Sequence, residues 1–251
     1  MTAIARLTRA ELRKLATTRT ALITLAIAIA LSVISVVATA ANAGKHGTPA
    51  LGTDAGTYAM LKVGVVSCMA MIVLGVTAAG GEYRHKTIIP AMLITPSRGA
   101  LVAAKTIATA IAGVVLAGLT FGVSLATAVG ELYAHGVHHL PSGTTTMFAG
   151  SVAAAVLFGL IGVALGYITR STVAAVVGAV GWLLIAEMAI LRTAAPQLGK
   201  WLIYGTARVL TDPPGADYGA LTPGTAAAVL GGYTVVLLAI AAWLVRRRDV
   251  A

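Results

Sequence analysis

The sequence predicts an all-α membrane protein with six transmembrane helices, and three observations carry that expectation. Of 251 residues, 58% are hydrophobic and only 10% are charged, against roughly 25% charged in soluble domains. Mean hydropathy is +0.92. The apolar residues gather into runs of about 20, the length that crosses a hydrocarbon core about 30 Å thick. The third observation is the placement of a formal charge of +10, which concentrates beside some of these runs and not others.

Residues 2–18 form the first element. At 100° per residue, Ile4, Leu7, Leu12 and Leu15 share one side and Arg6, Arg9 and Arg13 the other, the pattern of a helix lying in the membrane interface. Spans follow at about 20–41, 58–79, 101–128, 147–169, 173–191 and 224–244, all within a single membrane domain that covers 1–251. The first run could be read as a signal peptide ending at "ATAANA". It is longer than the usual apolar region of about 7 to 15 residues and is preceded by a patterned helix, so an uncleaved span is expected.

Between the fifth and sixth spans, about 199–222, an amphipathic piece "GKWLIYGTARVL" precedes "TDPPGADYGALTP". The pairs Gly118/Gly122 and Gly162/Gly166 allow close helix approach, inside the chain or between copies.

Six spans put both termini on one side. Arg6, Arg9, Arg13, Lys14, Arg19, Arg84, Lys86, Arg98, Lys105, Arg170 and Arg246 to Arg248 fall there, against Lys45, Arg192, Lys200 and Arg208 opposite. This bias makes both termini cytoplasmic in an inner or plasma membrane. Without aromatic interleaving or a basic soluble domain, the charge points to the membrane and not to nucleic acid.

Little in the chain suggests covalent chemistry. There is no Gly-rich phosphate loop ending in Gly-Lys-Ser/Thr and no HExxH pattern, so neither nucleotide nor a metal cofactor is expected on this chain. The lone Cys68 cannot form an internal disulfide. His135, His138 and His139 could converge on a metal if helical, but Gly136 and Pro141 oppose a regular helix and solvated loop histidines are the expectation. Two ionisable residues fall inside spans, Lys62 and Glu187. Both lie about 6 to 8 Å below the outer boundary at 1.5 Å rise per residue. They could pair or line a translocation path; alternatively Lys62 snorkels to the headgroups and Glu187 meets water.

The segment 82–98 breaks the apolar pattern with Glu82, Arg84, His85, Lys86 and Arg98, and carries Ile88, Ile89, Met92 and Leu93 at helical spacing. A helix this short cannot span, so its apolar face needs a groove on a soluble partner or the bilayer surface.

The stretches "RAELRKLATTRTAL" and "GEYRHKTIIPAMLITPSRGALVAAK" resemble the type-2 permease (ABC-2, or type V) family of ATP-binding-cassette exporters. Lys86 stands where members of that family often have Gly. The resemblance implies an N-terminal elbow helix, six spans, a cytoplasmic coupling helix between spans two and three, and an outer re-entrant segment between spans five and six.

It further implies a non-catalytic permease subunit that pairs with a second permease subunit, as homodimer or heterodimer. Two soluble ATPase subunits would hold the ATP and magnesium and drive export. By position, coupling to the ATPase falls to Arg84, His85, Lys86, Ile88, Ile89, Met92, Leu93 and Arg98. Glu11, Arg13, Lys14 and Glu82 would form a cytoplasmic polar cluster bracing that helix against the elbow. Lys62 and Glu187 lie on the spans that line the path in this family. The Ala-rich apolar spans favour a hydrophobic or amphipathic cargo, a drug or a lipid. A membrane scaffold without a transport cycle and a proton-coupled secondary transporter are the alternatives.

Overall fold

The computed structural model describes residues 3–45, 47–85, 87, 98–187, 189–190, 196–216 and 221–247, and among these every regular element is helical. Helix α1 (Ala3–Thr17) is the N-terminal amphipathic element. It turns at Thr18, whose extended backbone starts α2 (Arg19–Ala41). Only a stripe of α2 at four-residue spacing is buried, Ala28, Ser32, Val36 and Ala40. Leu22, Ile27, Leu31 and Ile34 on its other sides are exposed, as suits a helix with one protein face and a wide lipid face.

The expected second span is two helices. The short α3 (Asp54–Met60) is capped by the Thr53 hydroxyl, which accepts from the Gly56 amide at 3.1 Å. After a turn at Leu61–Val63 comes α4 (Gly64–Arg84). Helix α5 (Arg98–Ala134) has 37 residues and is about 55 Å long at 1.5 Å per residue, well beyond a hydrocarbon core. Helix α6 (Thr144–Thr169) follows.

α4 and α6 form the centre of the bundle. A Cβ at Gly75 would fall on the Gly159 carbonyl, and one at Gly162 on the Ile72 carbonyl. The two backbones therefore touch where water-excluding side chains would hold them apart. The Gly162/Gly166 pair is used inside the chain. Gly118 and Gly122 on α5 meet nothing within 4 Å.

Helix α7 (Thr172–Gly181) begins at Ser171, whose hydroxyl accepts from the Ala174 amide, and passes into a π-helical segment, Trp182–Glu187. Helices α8 (Pro196–Gly199), α9 (Ile203–Thr211) and α10 (Pro223–Arg247) complete the chain. α9 packs against α6, where a Cβ at Gly150 would collide with the Leu210 carbonyl.

Among the described residues five helical stretches are long and apolar enough to cross a membrane: Arg19–Ala41, Asp54–Arg84, Gly99–Ala134, Thr144–Thr169 and Pro223–Arg247. The expected fifth span corresponds to the shorter apolar stretch Thr172–Glu187. Its π-helical end widens the turn, and π segments of this kind are frequent at functional sites.

One end of the bundle collects α1, the end of α4, the start of α5 and the end of α10, with Ala79, Leu101, Val102, Tyr167, Ala241 and Val245 packed beneath them. These are the segments whose basic residues the sequence assigns to one side. At the opposite end Val36, Met60, Leu61, Phe121, Leu132 and Met147 form a second cluster.

Candidate functional site

Four charged side chains meet at the basic end. Glu11 comes from α1, Glu82 from the last turn of α4 and Lys105 from the second turn of α5, while Lys14 lies one turn after Glu11. The Lys105 ammonium donates to Glu11 Oε2 at 2.5 Å and to Glu82 Oε1 at 3.0 Å. Lys14 donates to Glu11 Oε1 at 2.5 Å and to the same Glu82 Oε1 at 3.0 Å. The Lys105 side chain is 2% exposed and those of Glu11 and Glu82 are 7% and 8% exposed, whereas Lys14 is 54% exposed. The set is formally neutral.

Removing such charges from water costs several kcal/mol per ion, recovered only when partners and hydrogen bonds are in place. Burial pushes the Glu11 carboxyl up, but Lys105, by charge and hydrogen bond, together with Lys14 outweighs it and holds the carboxyl below its usual range. Burial lowers the Lys14 ammonium, and Glu11 and Glu82 more than offset this and raise it. The product is a clamp that fixes the N-terminal helix to α4 and α5.

This geometry brings together three of the four residues expected in a polar cluster. The fourth, Arg13, is exposed and stands apart. Lys105, which charge counting places only on the basic side, takes the central position instead. Its sequence signal is a lysine seven residues into a run of small and apolar side chains.

Around the clamp lies a cavity of about 520 Å³ bounded by α1, α2, α4 and α5, with Arg84 and His85 at its edge. Arg84 ends α4 and His85 is its C-cap. Arg98 begins α5. Lys86, Ile88, Ile89, Met92 and Leu93, and with them the expected coupling helix, lie outside the described residues.

Close by, the α6–α7 junction is pinned. Arg170 has a left-handed backbone with φ 54°, a conformation that ordinarily favours Gly. Its guanidinium lies 5.5 Å from the centre of the Tyr83 ring, and Tyr83 meets Tyr167 edge-on at 6.4 Å. The cation–π contact offsets part of the backbone cost.

At the opposite end Lys62 and Glu187 do not pair with each other. Lys62 occupies the turn between α3 and α4, is 44% exposed, and lies 3.6 Å from the Asp212 carboxylate. Arg208 donates to the same oxygen at 3.3 Å. Glu187 is fully buried. Its Oε1 accepts from the Trp182 indole at 2.8 Å and its Oε2 from the Tyr204 amide at 2.6 Å.

Tyr204 is in the first turn of α9, whose N-cap Leu202 has no capping side chain. Glu187 supplies the missing acceptor from another helix, and an anion at a helix N-terminus also meets the positive end of the helix dipole. The pairing of Lys62 with Glu187 that their positions allowed is not formed, because Lys62 sits at the helix break beside Asp212 while the π-helical turn directs Glu187 to the buried start of α9.

His135, His138 and His139 have separate partners. His135 Nδ1 lies 2.8 Å from the Glu131 carbonyl, His138 meets Tyr133 edge-on, and His139 Nε2 is 3.2 Å from Asp54. No metal-ligating group of three occurs among the described residues.

The family model described as ABC-2 family transporter protein matches residues 7–185. The chain belongs to the ABC-2 transporter family. The ABC-2 match begins within α1 and ends in the π-helical segment, so it includes every member of the clamp and Lys62. Glu187, α9 and α10 follow the matched region. Comparison with curated proteins finds no match.

Proposed function

We propose that this ABC-2 protein is the membrane-spanning permease subunit of an ATP-driven exporter, with six spans, both termini cytoplasmic, and ATP hydrolysis in separate soluble subunits. Thr172–Glu187 and its continuation form the fifth span. The segment 82–98 is the coupling element, its Arg84, His85, Lys86, Ile88, Ile89, Met92, Leu93 and Arg98 reading the ATPase surface. Two ATPase copies and a second permease subunit complete the assembly, and the cargo is hydrophobic or amphipathic, a drug or a lipid.

The observation that carries this reading is the clamp. A coupling element can transmit force only if its roots are fixed, and Glu82 and Lys105 fix both roots, before and after the segment, to the same N-terminal helix. Lys62, exposed at a break in the second span, is the retained path-lining candidate, whereas Glu187 is assigned to capping α9.

The test is co-expression with candidate ATPase subunits and measurement of ATP hydrolysis and transport together. Reversing the exposed Arg84→Glu is expected to uncouple the two without lowering the melting temperature. Unchanged coupling overturns the docking assignment. Transport by the purified chain without ATP, responding to a proton gradient, overturns the exporter reading itself.

A further inference from the structure

The cavity beside the clamp does not end at polar walls. Leu15, Ala21 and Leu74 line it and also line a second hollow of about 220 Å³. That hollow is apolar, formed by Leu12, Leu22, Leu25, Ile111, Val115 and Leu116. The two share a neck where α1 meets α2. A charged chamber that opens onto an apolar groove has the shape of an amphiphile, and a groove of this composition at bilayer depth is filled by an acyl chain because water has no partner there.

The charge balance selects the headgroup. Glu11 and Glu82 are compensated by Lys14 and Lys105, so Arg84 leaves the chamber with an excess positive charge. Lys14 uses two of its three donors on the carboxylates. Among the described residues Arg84 makes no ion pair, and it is exposed at the cavity edge. One free ammonium donor and a guanidinium fork suit a phosphate. An additional lipid ammonium would find Glu11 and Glu82 Oε1 already engaged by lysine, and Glu82 Oε2, which has no partner among the described residues, is buried away from the chamber.

We propose that the chamber and groove together form a binding site for an anionic phospholipid such as phosphatidylglycerol. The phosphate sits at Lys14 and Arg84, and one acyl chain runs through the neck at Ala21 along α2 and α5. The lipid seals the clamp from water and fixes the depth of α1 in the membrane. The site shares Arg84 with the proposed coupling element, but its occupancy needs neither ATP nor an ATPase partner, so lipid retention on the purified chain tests it apart from the exporter reading.

The experiment is native mass spectrometry of the full chain in mild detergent, titrated with phosphatidylglycerol, phosphatidylethanolamine and phosphatidylcholine of identical acyl chains. Phosphatidylglycerol is expected to be retained about fivefold better than the other two, and Arg84→Gln to remove that preference while Arg84→Lys keeps it, the effect of one basic residue near an anionic headgroup. Ala21→Trp, which plugs the neck, is expected to abolish retention of all three.

Phosphatidylglycerol carrying a photoreactive group in its acyl chain covers the case in which Ala21→Trp fails to fold. On the unmodified protein it should label α1, α2 and α5 near Leu15, Leu22 and Val115. Equal retention of the three lipids, retention unchanged in Arg84→Gln, or labelling confined to other helices such as α10 overturns the proposal.

Discussion

The two ends of the bundle handle charge in opposite ways. At the basic end two carboxylates and a lysine are almost fully buried and pair with one another and with Lys14. At the opposite end Lys62 and Arg208 are each about two-fifths exposed and share one carboxylate, Asp212. The first arrangement crosses three helices and cannot lose a member without stranding a buried charge. The second also holds a buried carboxylate, Asp212 being 7% exposed, but gives it two part-exposed cations, so losing Lys62 leaves Arg208 in place. Distance alone would rank both as ion pairs; burial of the cation, nearly complete for Lys105 and partial for Lys62 and Arg208, separates them.

The contrast makes its largest prediction at Lys105. Lys105→Met leaves Glu11 and Glu82 with only the half-exposed Lys14, and should cost about 3 to 5 kcal/mol, read as a large drop in melting temperature of the detergent-purified chain. A loss below about 1 kcal/mol, the range of exposed pairs, would show that the clamp is solvated and erase the distinction between the ends.

Glu187 is the second point of pressure, because it is buried, remote from the clamp and held by no cation among the described residues. Glu187→Ala removes the acceptor for both Trp182 and Tyr204, and a stranded pair of donors should cost about 1 to 3 kcal/mol. Trp182 emission should shift with it. Glu187→Gln, which retains an acceptor, should recover part of the loss; identical behaviour of the two variants would refute the capping role.

Lys62→Ala should change stability by about 1 kcal/mol or less, an effect that fades with added salt. A change matching that of Lys105→Met would place Lys62 in a buried network after all.

The mildest expectation concerns pH. The Glu11 carboxyl is lowered from 4.5, so its contribution is complete above that unfolded value and is lost as pH falls through the lower folded one. The Lys14 ammonium is raised from 10.5, so its contribution is complete below that value and is lost as pH rises through the higher folded one. Thermal melts should therefore hold steady between these limits. Replacing Glu11→Gln should flatten the acid limb; an acid limb unchanged by that substitution would assign it to other groups.

Much of the architecture could be read from single residues and their spacing. The α1 pattern of Leu7, Leu12 and Leu15 against Arg6, Arg9 and Arg13, the long apolar runs, and the need of Glu11 for a basic partner were visible because periodicity and composition are local properties. The break at Lys62 was not visible. Leu61 and Val63 continue an apolar run in which the single Gly64 is weak punctuation; in the structure Gly64 opens α4 at a close approach, where a Cβ would meet Ser151 of α6 and Thr211 of α9. Arg13 and Lys105 changed places for a related reason: a helical wheel gives the face of a residue but not which neighbouring helix covers it.

Sequence by itself determined that this chain lives in a membrane, where its long apolar helices run, and which segments beside them carry the excess positive charge, since apolar run length and charge placement are both local properties. Partnership among the charges was decided only in three dimensions. Glu11 and Glu82 are 71 positions apart and Lys105 lies 94 positions from Glu11, and the close backbone approach of α4 to α6 sets where α5 and α1 come to rest. The energy of a buried charge depends on what surrounds it, and that is fixed by the packing of whole helices.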